Sequence, residues 1–176
     1  ETFTVDIADS VLDDLKFRLR NTRWAPEFAN DDWRYGTNLN ELKALCAYWQ
    51  NDFDWRAQEE KINRYENYKV SIDGIPIHFI HVKGKGPKPK PLILSHGWPW
   101  TFWDFYKVIE PLTDPVSFGG TAEDAFDVVV PSLPGFGFSS PLVQSGVNAW
   151  LTADLWDRLM TDVLGYDRYC AQGGDW

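Results

Sequence analysis

The sequence predicts an α/β fold entered through a mainly helical arm, and three observations carry that expectation. The apolar period changes from 3.6 to 2 near residue 67, short continuously apolar strands alternate with helical patterns after residue 90, and no internal repeat is visible. The 176 residues are 44% hydrophobic, with ten Trp, eleven Phe and seven Tyr, so there is apolar mass for one sizeable core.

In chain order, Phe3, Val5 and Ile7 alternate with polar residues as a short extended segment. Ser10 with Asp13 reads as a capping box opening a helix through Val11, Leu12, Leu15 and Leu19, which ends before Pro26. A second helix after Asn40 carries Leu42, Leu45, Cys46, Trp49 and Phe53 on one stripe, and a helical turn follows over 55–62. Residues 68–72 and 75–82 then alternate as strands around Asp73-Gly74, a pair suited to the positive φ angles of a type I′ hairpin. This gives an expected arm over 1–66 and a sheet domain over 67–176.

The Lys/Gly/Pro stretch 83–91 reads as a solvated loop. Residues 92–95 and 126–130 are continuously apolar, as strands buried on both faces are, and 168–172 is the next strand. Helices are expected over 101–112 and 148–164.

Composition excludes several function classes. A formal charge of −9, with no basic cluster beyond Lys83 to Lys90, argues against a surface that tracks phosphates. No window reaches the roughly 18 uncharged apolar residues of a membrane span. Cys46 and Cys170 lie far apart without metal-ligand spacing, so no metal site and no cofactor is expected, and a cytoplasmic setting follows as the default. Gly135-Phe136-Gly137-Phe138-Ser139 lacks the Lys-Ser/Thr that a nucleotide-phosphate cradle needs.

In a parallel sheet, ligands sit beyond the carboxyl ends of the strands, which singles out three loops. They are His96-Gly97-Trp98-Pro99-Trp100, residues 131–139, and Gly173-Gly174-Asp175-Trp176. Gly-Gly-Asp alone reads as an ordinary Asx-type turn; placed directly after a buried strand it has the chemistry of a nucleophile elbow whose exposed side chain is a carboxylate. Such a carboxylate attacks a substrate carbon to give an ester, which water then cleaves. The backbone N–H groups of Trp98 and Trp176 are the expected oxyanion donors. His96 reads as a structural residue of the loop rather than a base, and His78 and His81 as strand residues. The aromatic residues Trp100, Phe136 and Phe138 either pack in the core or line an apolar cleft.

The chain resembles the N-terminal part of an α/β-hydrolase-fold epoxide hydrolase of the microsomal type. Thr22-Arg23-Trp24, Trp33-x-Tyr35-Gly36, Tyr48-Trp49 and Phe53-Asp54-Trp55-Arg56 are similar to that family's N-terminal extension. His96-Gly97-Trp98-Pro99, 131–139 and Gln172-Gly173-Gly174-Asp175-Trp176 continue the likeness. The resemblance implies addition of water to a small apolar epoxide to give a vicinal diol, in detoxification or aromatic hydrocarbon catabolism. It gives Asp175 as nucleophile and Trp98 and Trp176 as oxyanion-hole positions. Trp100 departs from the family pattern, which has Gly there, and a bulky indole would reshape the mouth of the site.

The resemblance also implies a histidine base, its acid partner and a lid bearing two tyrosines, all downstream of Asp175. The expectation is therefore of a fragment, or the first of two chains, truncated at the elbow. Its partner would be the remaining half of the fold, and a homodimer is left open. Such a piece is expected neither to turn over nor to fold stably alone, because later strands would be missing from its sheet edge. Two rivals stay open: a haloalkane dehalogenase-like hydrolase, which uses the same Asp nucleophile, and a non-catalytic relic or interaction module with the Trp-rich arm as its surface.

Overall fold

The computed structural model describes residues 1–175, which form two compact units. One is Val5–Lys61; the other joins Glu1–Thr4 to the described part of Ile62–Trp176.

The helices of the first unit are α1 (Asp9–Arg20), α2 (Leu39–Asn51) and the greater part of α3 (Trp55–Asn63). Helix α1 opens at Ala8 without a side-chain cap, so the expected Ser10–Asp13 capping box does not form. Asp9 and Ser10 are already inside the helix, where a hydroxyl no longer faces the free N–H groups of the first turn. Helix α2 has a polar start instead: Asn38 Oδ1 accepts from Asn40 N (2.9 Å) and Glu41 N (3.3 Å), and the Glu27 carboxylate accepts from Leu39 N. Its stripe has the expected period, but α2 contains no buried residue, Leu45 and Trp49 are exposed, and Phe53 lies past its end. Glu59 is buried and accepts from Ile7 N (2.6 Å) and Trp55 Nε1 (3.0 Å), while Arg56 pairs with both Glu59 and Asp9. One carboxylate thus ties the segment before α1 to α3.

The second unit is built on a mixed sheet. Its strands are β1 (Thr2–Phe3), β2 (Asn67–Ile72), β3 (Ile75–Val82), β4 (Lys90–Ser95), β5 (Phe126–Pro131) and β6 (Cys170–Gly173), in the order β1-β2-β3-β5-β4-β6. β2 and β3 form the expected hairpin, with Asp73 and Gly74 both left-handed at φ 51° and 79°. β3 runs antiparallel to β5, whereas β4 is parallel to both β5 and β6. The region expected as a helix over 101–112 divides into a 3₁₀ turn, Phe102–Phe105, and α4 (Tyr106–Thr113); the long helix over 148–164 is α5 (Ala149–Arg158) continued by a π turn, Leu159–Val163.

The core on one side of the sheet brings Ile77, Ile93 and Val129 against Leu155, Trp156, Leu159 and Met160 of α5 and its extension. Continuously apolar strands are therefore buried as their composition requires. Polar order is concentrated at His78, which is wholly buried. Its Nε2 meets Asn67 Oδ1 (3.0 Å), an acceptor only, so Nε2 carries the proton and Nδ1 accepts from Ser132 Oγ (2.9 Å). Ser139 Oγ receives the His78 backbone N–H and donates to Ser132 O (2.8 Å), so the 131–139 loop is buttoned to β3.

Burial, with the Lys69 charge adding to it, holds the His78 imidazole down to about 3. The unfolded chain takes up a proton near pH 6.5 that the native state refuses. Stability is therefore complete above pH 6.5 and falls as pH drops toward 3, by roughly 5 kcal/mol in all. Urea midpoints of the full-length protein measured across that range should decline steeply, and His78→Gln should flatten the decline.

Candidate active site

Parallel pairing aligns the carboxyl ends of β4 and β6, with Leu94 opposite Gln172 and Ser95 opposite Gly173. The loops that leave them, together with the loop after β5, border an open cleft of about 610 Å³. His96, Trp98, Phe136 and Asp175 all line it.

Asp175 has φ 71°, a left-handed conformation unusual for a residue with a side chain. A Cβ added at Gly174 would meet nothing within 4 Å, so packing does not require a glycine at that position. A methyl group at position 97 would lie 2.5 Å from Asp175 Oδ2 and 2.6 Å from its Cβ. The carboxylate thus lies directly over the bare face of Gly97, and two loops distant in sequence meet at van der Waals contact. The residue expected at the elbow and the glycine of the opposing loop meet here, although the strand before Asp175, expected to be buried, is exposed along its whole length.

His96, which precedes Gly97, is buried. Leu133 N–H donates to its Nε2 at 3.0 Å, which forces the proton onto Nδ1, where it is donated to Gly97 O at 2.9 Å. Burial pushes the imidazole below its ordinary value, while the Gly97 carbonyl bond and the Asp104 charge pull it back in part. A neutral ring with both nitrogens engaged acts as a strut between the loops after β4 and β5. His96→Ala would leave the partly buried Leu133 N–H without this partner at a cost of about 1 kcal/mol, read as a lowered Tm of the full-length protein by calorimetry.

The remaining residues of the first loop turn outward. Trp98 is exposed at the cavity and joined to Pro99 by a cis peptide bond. Trp100 N–H closes the turn on Gly97 O (3.1 Å), and its indole is exposed without lining the cavity. Phe136 lines the cavity and meets His96 edge-on at 5.7 Å. Phe138, expected as a cleft residue, packs against Phe3, His78 and Phe102 instead. Left-handed Gly135 precedes Phe136 and left-handed Gly137 turns the chain between the two phenylalanines, and Phe138 is drawn into the aromatic cluster around His78. Trp176, expected as the second oxyanion donor, lies outside the described residues.

Helix α5 contributes a wall that sequence reasoning did not assign. Ala149, Thr152, Ala153 and Trp156 recur at helical spacing and all face the cavity. That spacing was available as a signal, although the tie that orients it, Trp156 Nε1 to Ser95 Oγ at 3.1 Å, has no local signature. Among the described residues, no group of three or more His, Cys, Asp or Glu side chains is placed to hold a metal ion, and no helix is long and apolar enough to cross a membrane.

Comparison with known proteins gives one consistent answer. A family model described as "Epoxide hydrolase N terminus" matches residues 1–105, and one described as "alpha/beta hydrolase fold" matches residues 90–176. A putative epoxide hydrolase of Stigmatella aurantiaca is 46% identical over 174 residues, which is 99% of this chain and 39% of that protein. Epoxide hydrolase 1 of Oryctolagus cuniculus is 43% identical over 178 residues, again 99% of this chain and 39% of the relative. The solved epoxide hydrolase of Aspergillus niger superposes with a TM-score of 0.86 at 33% identity, covering 99% of this chain and 46% of that one. The juvenile hormone epoxide hydrolase of the silkworm Bombyx mori gives 0.87 at 33% identity, covering 100% and 46%. This chain thus spans 39% of the length of those two curated relatives. With an N-terminal region characteristic of that family running into the first strands of an α/β-hydrolase fold, the chain belongs to the epoxide hydrolases.

Proposed function

We propose that Asp175 is the nucleophile of an epoxide hydrolase that acts on small apolar epoxides. A carboxylate oxygen attacks one ring carbon, the C–O bond on that carbon breaks, and the electron pair leaves on the epoxide oxygen, which takes up a proton to become the first hydroxyl. Water then adds to the ester carbonyl, and the collapsing intermediate releases the diol and restores the carboxylate. The charge that develops on the carbonyl oxygen is steadied by the backbone N–H groups of Trp98 and Trp176, each such donor being worth on the order of 10²–10³ in rate.

The observation that carries this reading is the left-handed Asp175 seated against Gly97, in a cavity whose other walls include Leu133, Pro134, Phe136 and Val147. The proton for the epoxide oxygen, and the base that activates water, are assigned to the further length that the relatives have, through the tyrosines, histidine and acid implied by the resemblance. Free Cys46 and Cys170 support a reducing, cytoplasmic setting.

The test is to offer the full-length protein an apolar epoxide and, separately, a haloalkane of similar size, and to measure both products. Diol without halide is expected. Halide release without diol assigns the dehalogenase chemistry instead, and neither product supports the non-catalytic reading.

A further inference from the structure

We infer that His78, which does not line the cleft, is a positioning residue for the second chemical step: it holds the loop after β5, and through that loop the peptide unit that supplies the Trp98 N–H. This role rests on the epoxide-opening reading of Asp175 and deepens it.

The connection is a continuous series of hydrogen bonds. His78 Nδ1 accepts from Ser132 Oγ (2.9 Å), and His78 O accepts from Ser132 N (2.8 Å). Ser139 Oγ adds a third tie, accepting from His78 N (2.9 Å) and donating to Ser132 O (2.8 Å). The far side of the ring is anchored too, since Nε2 donates to Asn67 Oδ1 and Asn67 Nδ2 donates to the Ile62 and Tyr65 carbonyls. Leu133, the residue after Ser132, donates to His96 Nε2, and His96 Nδ1 donates to Gly97 O. Gly97 O and Trp98 N–H belong to one planar trans peptide unit, so fixing the carbonyl fixes the direction of the N–H. Asn67, His78, Ser132, Ser139 and His96 are all buried, so the series depends on no exposed surface.

The two chemical steps place different demands on that N–H. In the first, a carboxylate oxygen of Asp175 bonds to a ring carbon, the C–O bond on that carbon breaks, and the negative charge passes to the epoxide oxygen. The carbonyl oxygen of the new ester gains none. In the second, water gives a proton to the base as its oxygen bonds to the ester carbonyl carbon, and the π pair moves onto the carbonyl oxygen. That pair returns as the bond to the diol oxygen breaks and the diol oxygen takes up a proton. The donor is needed while the charge is present, so a loosened loop slows ester hydrolysis and spares ester formation. Removing one such donor costs on the order of 10²–10³ in rate, and displacing it costs at least about tenfold.

The experiment follows a single turnover of 1,2-epoxyoctane by full-length protein, with formation and loss of the Asp175 ester timed separately in wild type, His78→Gln and Ser132→Ala. Gln keeps a donor for Asn67 but leaves Ser132 Oγ without its acceptor. Ser132→Ala cuts the same link with little loss of volume, and it decides the matter if the His78 variant does not fold. In both variants the ester should form at close to the wild-type rate and disappear at least about tenfold more slowly. His78→Asn, whose Oδ1 stands where Nδ1 accepts from Ser132, should recover part of the lost hydrolysis rate. A smaller active fraction with both rates unchanged, or two steps slowed equally, means that His78 only holds the fold together, and overturns the positioning role while the nucleophile stands. A wild type that forms no ester at Asp175 overturns the underlying reading.

Discussion

Asp175→Asn is expected to remove turnover by on the order of 10⁴-fold or more, with little change in stability. The carboxylate is the group that forms the bond to carbon, and deleting a nucleophile leaves only the positioning and charge stabilisation of the surrounding site. Asn is the informative replacement because position 175 is left-handed at φ 71°, a conformation Asn tolerates as readily as Asp, whereas Ala would add backbone strain. The amide also keeps the volume that fills the space over Gly97. Steady-state diol production with the full-length protein, beside a thermal melt, separates lost chemistry from lost fold. Activity within tenfold of wild type would mean that another group attacks the epoxide.

Gly97→Ala is expected to cost at least about 10²-fold in kcat while the fold persists. The added methyl would stand 2.5 Å from Asp175 Oδ2, which a change of rotamer could relieve, but also 2.6 Å from Asp175 Cβ, which it could not. Relief requires the backbone of the elbow or of the loop after β4 to move, and a displacement near 1 Å of a reacting group is worth about 10² in rate. Either loop carries its partners with it, because His96 joins Gly97 to Leu133. In a single turnover the variant should still form an ester, only more slowly, which distinguishes a displaced nucleophile from a missing one. Wild-type rates would show that the two loops have more room than their contact implies.

Features dictated by backbone chemistry were legible before any coordinates. Asp73-Gly74 specified its hairpin because few residue pairs accept two consecutive positive φ angles, and both are positive. The apolar runs at 92–95 and 126–130 specified buried strands, and the glycines before Asp175 marked a turn at the end of the next one. Features set by packing at a distance were not. Phe136 and Phe138 differ in role because left-handed Gly137 stands between them and His78 waits on β3 for one of the rings. The α2 stripe has helical period yet stays exposed, since periodicity records which face is apolar and not what covers it. Ser10 had the composition of a cap, but the cap position is Ala8, two residues earlier, a choice that composition alone leaves undetermined. The orientation of α5 depends on Trp156 reaching Ser95 across 61 positions of sequence.

The central claim is that Asp175 becomes covalently bonded to carbon, and oxygen tracing tests it most directly. A single turnover of full-length protein in ¹⁸O-water, with enzyme in excess over epoxide, should release diol whose new oxygen is unlabelled and comes from Asp175. The label should be found in the carboxylate of the peptide that contains Asp175. Label in the first diol, with none in that peptide, would mean that water attacks the epoxide directly and that Asp175 is not the nucleophile.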